Sequence, residues 1–257
     1  MAPVAYEVVD GVARITLDRA QKRNALDHDL RQELILALSR AQGDEGVSVL
    51  QIEGRGSAFC AGADLEELAS AGAPELAAAR RDYERILLGL FRSPKASLAV
   101  IDGAATGIGL ALALSCDLRL ASPRCRLVPG FVQVGLVPDG GLSWILPRMV
   151  GRARALELLL TGRELGAEEA AAWGLVNLVD EQPALGQRAQ ALSAALGASG
   201  TAVGAAKRAL NHAADVGLEE AMEFEFLLQG VQLGRADFGR GLDRFRSRRG
   251  APQDSQP

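Results

Sequence analysis

Histidine is scarce. His28 and His212 are the only two in a chain of 257 residues, and their separation leaves no cluster from which a zinc site or a His-based triad would be assembled; no metal is expected. Cysteine is scarce too: Cys60, Cys116 and Cys125 show no C-x-x-C spacing, and an odd count without a signal sequence fits reduced thiols in a cytoplasmic protein. The N-terminus lacks the charged-then-apolar pattern of a secretory signal. Long apolar runs are absent as well. The longest, from Gly103 to Cys116 between Asp102 and Asp117, is too short to span a bilayer and suits a buried core segment. Nor is there an excess of positive charge: the net charge is −4, which argues against nucleic acid as a partner. What is left is a cytoplasmic protein that engages neither membrane nor nucleic acid.

A real core is present. The chain is 48% apolar and 23% charged, enough for one large domain or two small ones. Tyr6 to Leu17 reads as a hairpin turned at Asp10-Gly11. Asp27 is placed to cap a helix whose inward stripe is Leu30, Leu34, Leu38 and Ala41, and Val47 to Ile52 reads as a further strand. Asp64, with Glu67 three residues on, has the form of a capping box opening a helix over Leu65 to Ala69. Pro74 opens a longer helix that carries Leu76, Ile86, Leu87, Leu90 and Phe91. Extended pieces follow at Leu98–Ile101, Leu118–Ala121, Arg126–Val128 and Leu175–Val179, interleaved with helices over Leu110–Leu114, Leu142–Met149, Arg154–Leu160 and Ala167–Trp173. Interleaved strands and helices predict a mixed α/β domain. From Ala184 onward the pattern is helical and rich in Ala and Leu. We divide the chain into a core over residues 1–195, a C-terminal helical region over 196–250 and a disordered tail over 251–257.

Two small-residue loops stand out, each after an apolar strand and ahead of a helix: Ala58-Phe-Cys-Ala-Gly-Ala-Asp-Leu and Gly103-Ala-Ala-Thr-Gly-Ile-Gly. Glycine at such a junction lets backbone approach a ligand closely, and a helix N-terminus points free N–H groups and positive partial charge outward. Together they suit a negatively charged oxygen. Close helix–strand packing explains either set of glycines equally well when taken alone.

The two loops, with Arg19 to Ala25, Cys116-Asp-Leu, Gly135-Leu-Val-Pro-Asp-Gly-Gly, Pro147-Arg-Met-Val-Gly, Leu160-Thr-Gly and Ala172-Trp-Gly-Leu-Val-Asn, resemble the enoyl-CoA hydratase/isomerase family, the crotonase superfamily, over nearly the whole chain. The resemblance implies a spiral of ββα units with a C-terminal helical trimerisation region, a homotrimer or dimer of trimers, and a coenzyme A thioester as substrate, with no permanently bound cofactor. It implies that the backbone N–H groups of Ala63 and Ile108 form an oxyanion hole for the thioester oxygen. It places coenzyme A against Arg23, Ala25, Ala61, Asp64 and Leu65, largely through backbone groups. The arginines between Arg235 and Arg249 reach a phosphate of a neighbouring subunit, or simply solvate a helix face.

The chain departs from the family's hydratases. Ala111 and Phe131 stand where the resemblance implies two glutamates that handle water, and neither can move a proton. Asp139, just ahead of Gly140-Gly141, matches the position of a functional Asp in the family's dienoyl-CoA and epoxyphenylacetyl-CoA isomerases. One carboxylate suffices to take a proton from one carbon and return it to another, and an apolar pocket with Phe131 nearby would raise its pKa. A helix N-cap or turn role explains Asp139 as well. The expectation is therefore an isomerase. Hydration or ring-epoxide isomerisation, an Asp139 nucleophile in a dehalogenase or thioester hydrolase, and an inactive acyl-CoA-binding protein are the alternatives. Trp144, Leu87, Leu88 and Phe91 line an acyl pocket or belong to the core.

Overall fold

The computed structural model describes residues 2–250, so the tail assigned to 251–257 lies outside the described residues. Strands β1 (Val4–Val9) and β2 (Val12–Leu17) form the expected hairpin, closed by Asp10 at φ 51° and Gly11 at φ 75°. Helix α1 (His28–Gly43) is capped by Asp27, whose Oδ1 accepts from the Leu30 N–H at 3.0 Å, and it buries the anticipated stripe.

Three strand pairs then follow, each with its helices. They are β3 (Val49–Gly54) and β4 (Ala58–Cys60) with α2 (Leu65–Ser70) and α3 (Ala73–Phe91); β5 (Ala96–Ile101) and β6 (Ala104–Thr106) with α4 (Ile108–Ser115); and β7 (Leu118–Ala121) and β8 (Arg126–Val128) with α5 (Leu142–Val150) and α6 (Arg152–Thr161). The first strand of each pair joins a six-stranded sheet, ordered β1-β2-β3-β5-β7 and closed by β10 (Leu178–Val179). The second joins a smaller sheet, β4-β6-β8, closed by β9 (Leu165–Gly166). Splitting each pair between two sheets makes the chain spiral, and it brings the β4–α2 loop beside the β6–α4 loop.

Alternation along β5 shows how the sheet is covered. Ala99 and Ile101 face the main core with α1, α3 and α4, whereas Leu98 and Val100 face Leu185 and Ala189 of α8 (Ala184–Ala198). The remaining elements are α7 (Ala167–Ala172), α9 (Thr201–Ala213), α10 (Leu218–Leu233) and α11 (Ala236–Gly250). Lys207 of α9 ties this region to the core, donating to the Leu90 carbonyl at 2.6 Å and pairing with Asp117 at 2.9 Å. No helix among the described residues is long and apolar enough to cross a membrane.

Three sequence expectations change. Strands β4, β6 and β9 span only two or three residues, too few to display an alternation. The last strand shortens to Leu178–Val179 because Leu175 and Val176 direct their N–H groups to the Ala170 carbonyl and close α7 instead. The capping box at α2 is half made. Asp64 caps the helix, but Glu67 does not accept from the Asp64 N–H in return, which goes to the Leu26 carbonyl; the Glu67 carboxylate accepts from the His28 N–H at 2.7 Å.

Candidate active site

Ala63 sits in a single parallel bridge with Leu26. The Leu26 N–H donates to the Gly62 carbonyl at 2.7 Å, and the Leu26 carbonyl accepts from the Asp64 N–H at 3.4 Å. A bridge of this form uses the groups of residues 62 and 64 and turns the Ala63 N–H to the opposite side. Ile108 is the first residue of α4, where an N–H has no partner within its helix. Among the described residues neither N–H donates a hydrogen bond. The two loops touch: a methyl group added at Gly62 would lie 2.6 Å from the Thr106 carbonyl oxygen and 3.6 Å from the Ile108 nitrogen. Only glycine, here at φ 94°, allows that approach. Gly109 serves packing, since a methyl there would lie 2.4 Å from the Cys60 carbonyl oxygen. Gly62 and Gly109 thus both allow close backbone packing, the first between the two loops and the second beneath α4.

Asp139 is brought beside α4 by the turn that leads into α5. A methyl group at Gly140 would fall 2.4 Å from Ile108 Cδ1 and 2.7 Å from Ala111 Cβ, so the Asp139-Gly140 turn rests on the first turn of α4. The N-cap reading of Asp139 does not survive. Gly141 occupies that position, and it is the Asp139 carbonyl that accepts from the Leu142 N–H, at 3.1 Å. The carboxylate is left free of capping work. The residue is exposed at the mouth of a cavity of about 670 Å³, and the protein on its inner side thins hydration enough to push its pKa up. A contact with its own N–H opposes this rise.

The cavity runs along one face of α3. Leu76, Arg80, Tyr83, Leu87 and Phe91 recur at helical spacing, with Trp144 and Ile145 of α5 opposite. Phe91 and Trp144 meet edge to face at 5.7 Å, and Arg148 lies 3.9 Å over the Trp144 ring. Leu87, Leu88, Phe91 and Trp144 thus line a pocket. Phe131 does not line it, and the expectation that Phe131 helps isolate Asp139 is corrected: it packs over Gly107, 3.7 Å from where a methyl would sit there. Leu87, Leu88 and Ile145 supply the apolar wall instead. Burial pushes the Tyr83 phenol up to about 12, against the pull of Arg31, and the charge of Asp139 adds to the rise.

Asp139 and Gly140 line the apolar cavity, and Gly140 rests against Ile108 at the start of α4; Ala63 and Ile108 themselves stand beside the cavity and are not part of its lining. The sequence matches the family described as enoyl-CoA hydratase/isomerase over residues 7–256. The chain belongs to the enoyl-CoA hydratase/isomerase family. It is 39% identical over 248 residues to a probable enoyl-CoA hydratase of Rhodobacter capsulatus, covering 96% of this chain and 95% of that one. It is 35% identical to a 4-chlorobenzoyl coenzyme A dehalogenase of an Arthrobacter species (95% and 91% covered). Identity to the 1,2-epoxyphenylacetyl-CoA isomerase of Escherichia coli is 33% (97% of each). The crystal structure of an enoyl-CoA hydratase from Bacillus anthracis superposes with a TM-score of 0.92 at 29% identity, covering 96% of each chain. The crotonase-type spiral expected from the sequence is the fold, and this protein is an acyl-CoA enzyme of the enoyl-CoA hydratase/isomerase family.

Within this family member, the residues assigned to coenzyme A lie around the first loop. Arg23, at φ 52°, is exposed, and its carbonyl accepts from the Ala61 N–H at 2.9 Å. Ala25 is buried, its carbonyl taken by Arg19 Nη1 at 3.2 Å. Leu65 is exposed. The Asp64 carboxylate is already occupied: it caps α2 and pairs with Arg19 at 2.7 Å, which holds its pKa below the usual carboxylate value. Asn24 and Arg31, which carry no functional reading in the sequence, brace the same loops. Buried Asn24 donates to the Ala58 carbonyl at 2.8 Å, and buried Arg31 reaches the Leu26 carbonyl at 3.1 Å. The sequence signal for Arg31 is a charge at the spacing of Ile35 and Leu38 on an otherwise apolar stripe.

Proposed function

We propose that the protein isomerises unsaturated acyl-CoA thioesters by moving a proton between two carbons of the acyl group. Asp139, ionised, removes a proton from the carbon next to the thioester carbonyl, or from the carbon beyond a conjugated double bond, and the C–H electron pair passes into the conjugated system. Charge collects on the thioester oxygen as the enolate forms. The N–H groups of Ala63 and Ile108 hold that oxygen, a contribution for which one donor typically accounts for about 2.7–4 kcal/mol of barrier. Asp139 then returns the proton to a different carbon, so one residue is base and then acid. The observation that carries this reading is the Asp139 carboxylate, without a side-chain partner among the described residues and lining the cavity, on a turn whose Gly140 rests against Ile108 and Ala111, with no second carboxylate at the Ala111 or Phe131 position. Coenzyme A lies along Arg23–Ala25 and Ala61–Leu65, held mainly by backbone groups, with nothing bound permanently.

The direct test follows a panel of 2-enoyl, 3-enoyl and ring-epoxide CoA thioesters by mass spectrometry in D2O. Double-bond migration with solvent deuterium incorporated is expected. Hydration of crotonyl-CoA as the fastest reaction would reject the assignment. A second reading, with Asp139 as nucleophile, draws support from the similarity to the Arthrobacter dehalogenase; a covalent mass increment on enzyme quenched during turnover would select it. Binding of acyl-CoA with no turnover on any substrate would select the inactive binder.

The pH dependence has a definite sign. Asp139 must be ionised to accept a proton, and its pKa stands above the ordinary carboxylate value. The rate constant kcat/KM is expected to rise with pH through a single limb centred above about 3.9, the unperturbed Asp value. A flat profile from pH 4 to 7 would contradict it.

We also propose a homotrimer or a dimer of trimers, assembled through the C-terminal helices. Phe226 of α10 is 80% exposed, and Met222 and Leu227 beside it are exposed as well, an apolar patch of the kind that marks a protein contact. Light scattering is expected to give three or six chains; a monomer at micromolar concentration would refute it.

A further inference from the structure

We infer that Arg31 is a positioning residue for the oxyanion hole; this rests on the proposed role of Ala63. The guanidinium is buried, its side chain only 4% exposed, and it joins three segments that meet at the site. Nη1 donates to the Leu26 carbonyl at 3.1 Å and lies 2.8 Å from Glu67 Oε1, while Nε donates to Asp82 Oδ2 at 3.2 Å. Leu26 is the bridge partner of Ala63, and the carbonyl that Arg31 grips is the one that accepts the Asp64 N–H at 3.4 Å. Glu67 is in the first turn of α2, directly after the Ala63 loop, and its other oxygen accepts the His28 N–H at 2.7 Å. Asp82 belongs to α3, and its neighbour Tyr83 lines the cavity, with the Arg31 guanidinium 5.5 Å from the centre of the Tyr83 ring.

The Ala63 N–H can aim at a substrate oxygen only while the Leu26 bridge holds residues 62 and 64 in place. Of the two bonds of that bridge, the one on the Asp64 side is the longer, at 3.4 Å against 2.7 Å, so this side leans on outside support. Arg19 supplies part of it through Asp64 and the Ala25 carbonyl. Arg31 supplies the rest, fixing both the accepting carbonyl and the helix that follows. The fork geometry matters: a planar guanidinium reaches a carbonyl and two carboxylates at once, and an ammonium on a flexible stem does not. Gln32, which donates to the same Asp82 oxygen at 2.8 Å, keeps α1 tied to α3 when Arg31 is changed, so the effect concentrates on the loop.

The test compares Arg31→Lys with the parent protein and with Leu185→Ala, a core deletion in α8, which packs on the opposite face of the sheet. Each is measured for kcat and KM on the best substrate of the panel. In the Asp139→Asn background, each is also measured for the carbonyl stretching frequency of a bound acyl-CoA carrying a 13C-labelled thioester carbon. Arg31→Lys is expected to lower kcat by about 10- to 100-fold, the scale of a misplaced catalytic contact, to change KM less than threefold, and to move the bound carbonyl frequency back toward that of the free thioester. Leu185→Ala is expected to lower the melting temperature while leaving the frequency at the parent value. If Arg31→Lys loses only thermal stability and keeps the parent frequency, Arg31 is a structural brace and the inference is overturned. If the parent itself shows no shift between free and bound thioester, the oxyanion reading fails first and this inference falls with it.

Discussion

Asp139→Asn is expected to lower isomerisation by about 10²- to 10⁴-fold, the range for loss of a positioned acid–base group, with acyl-CoA affinity nearly unchanged. Asparagine keeps the size and polarity of the side chain but cannot take a proton, so the loss belongs to kcat. Binding is spared because the Asp139 carboxylate makes no hydrogen bond to another residue that would hold the pocket open. Isothermal titration with a saturated acyl-CoA and stopped-flow turnover on the same preparation separate the two quantities. An Asn variant that turns over at the parent rate would remove Asp139 from the mechanism.

Stability supplies an independent check on the same residue. Because the Asp139 pKa is raised in the folded state, the folded protein holds that proton more tightly than the unfolded chain does. Stability from this group is therefore complete below the unfolded value and is lost as pH rises through the folded one. Asp139→Asn carries no such charge, so its melting temperature is expected to exceed the parent's at pH 7 and to match it below about pH 3, under the unperturbed Asp value of about 3.9. A helix-capping Asp predicts the opposite, since removing a cap lowers stability. Gain of stability with loss of rate is the signature of a carboxylate kept under-solvated for chemistry.

Much of this arrangement is legible in the sequence, for identifiable reasons. The apolar runs over β3, β5 and α4 are each bounded by polar or glycine breaks, so the order of elements follows from composition. The proposed donors Ala63 and Ile108 stand at loop–helix junctions, and such junctions leave a trace in small residues. Asp139 stands out because Ala111 and Phe131 remove its competitors. The cavity is less legible. An apolar stripe on α3 looks the same whether it faces core or cavity, and only the packing of α5 divides Ile86 and Leu90, which are buried, from Leu76 and Leu88, which are exposed along the open face. Arg31 and Asn24 escape notice because their partners are distant carbonyls and carboxylates, and sequence spacing carries no information about contacts made across the spiral. The capping role given to Glu67 fails for the same cause. A local partner was available at Asp64, but a backbone N–H at His28, 39 positions away, takes the carboxylate instead.

The second large effect is expected from Gly62→Ala. Gly62 has φ 94°, a backbone conformation costly for any residue with a Cβ, and the new methyl would lie 2.6 Å from the Thr106 carbonyl oxygen. Backbone cannot yield there as a flexible side chain would, because the Gly62 carbonyl is held by Leu26 on one side and β6 is held by β4 and β8 on the other. The contact is relieved only by separating the loops, and separation draws the Ala63 N–H away from the Ile108 N–H. The thioester oxygen then meets one donor where it met two. Turnover is expected to fall by about 10²- to 10³-fold, as for removal of one oxyanion donor, at a circular dichroism spectrum matching the parent. Gly109→Ala places its methyl 2.4 Å from the Cys60 carbonyl, within the packing beneath the site, and is expected to cost folded yield and melting temperature first. A folded Gly62→Ala protein with parent kcat would mean that the spacing of these two N–H groups does not govern the reaction, and the oxyanion assignment would have to be given up.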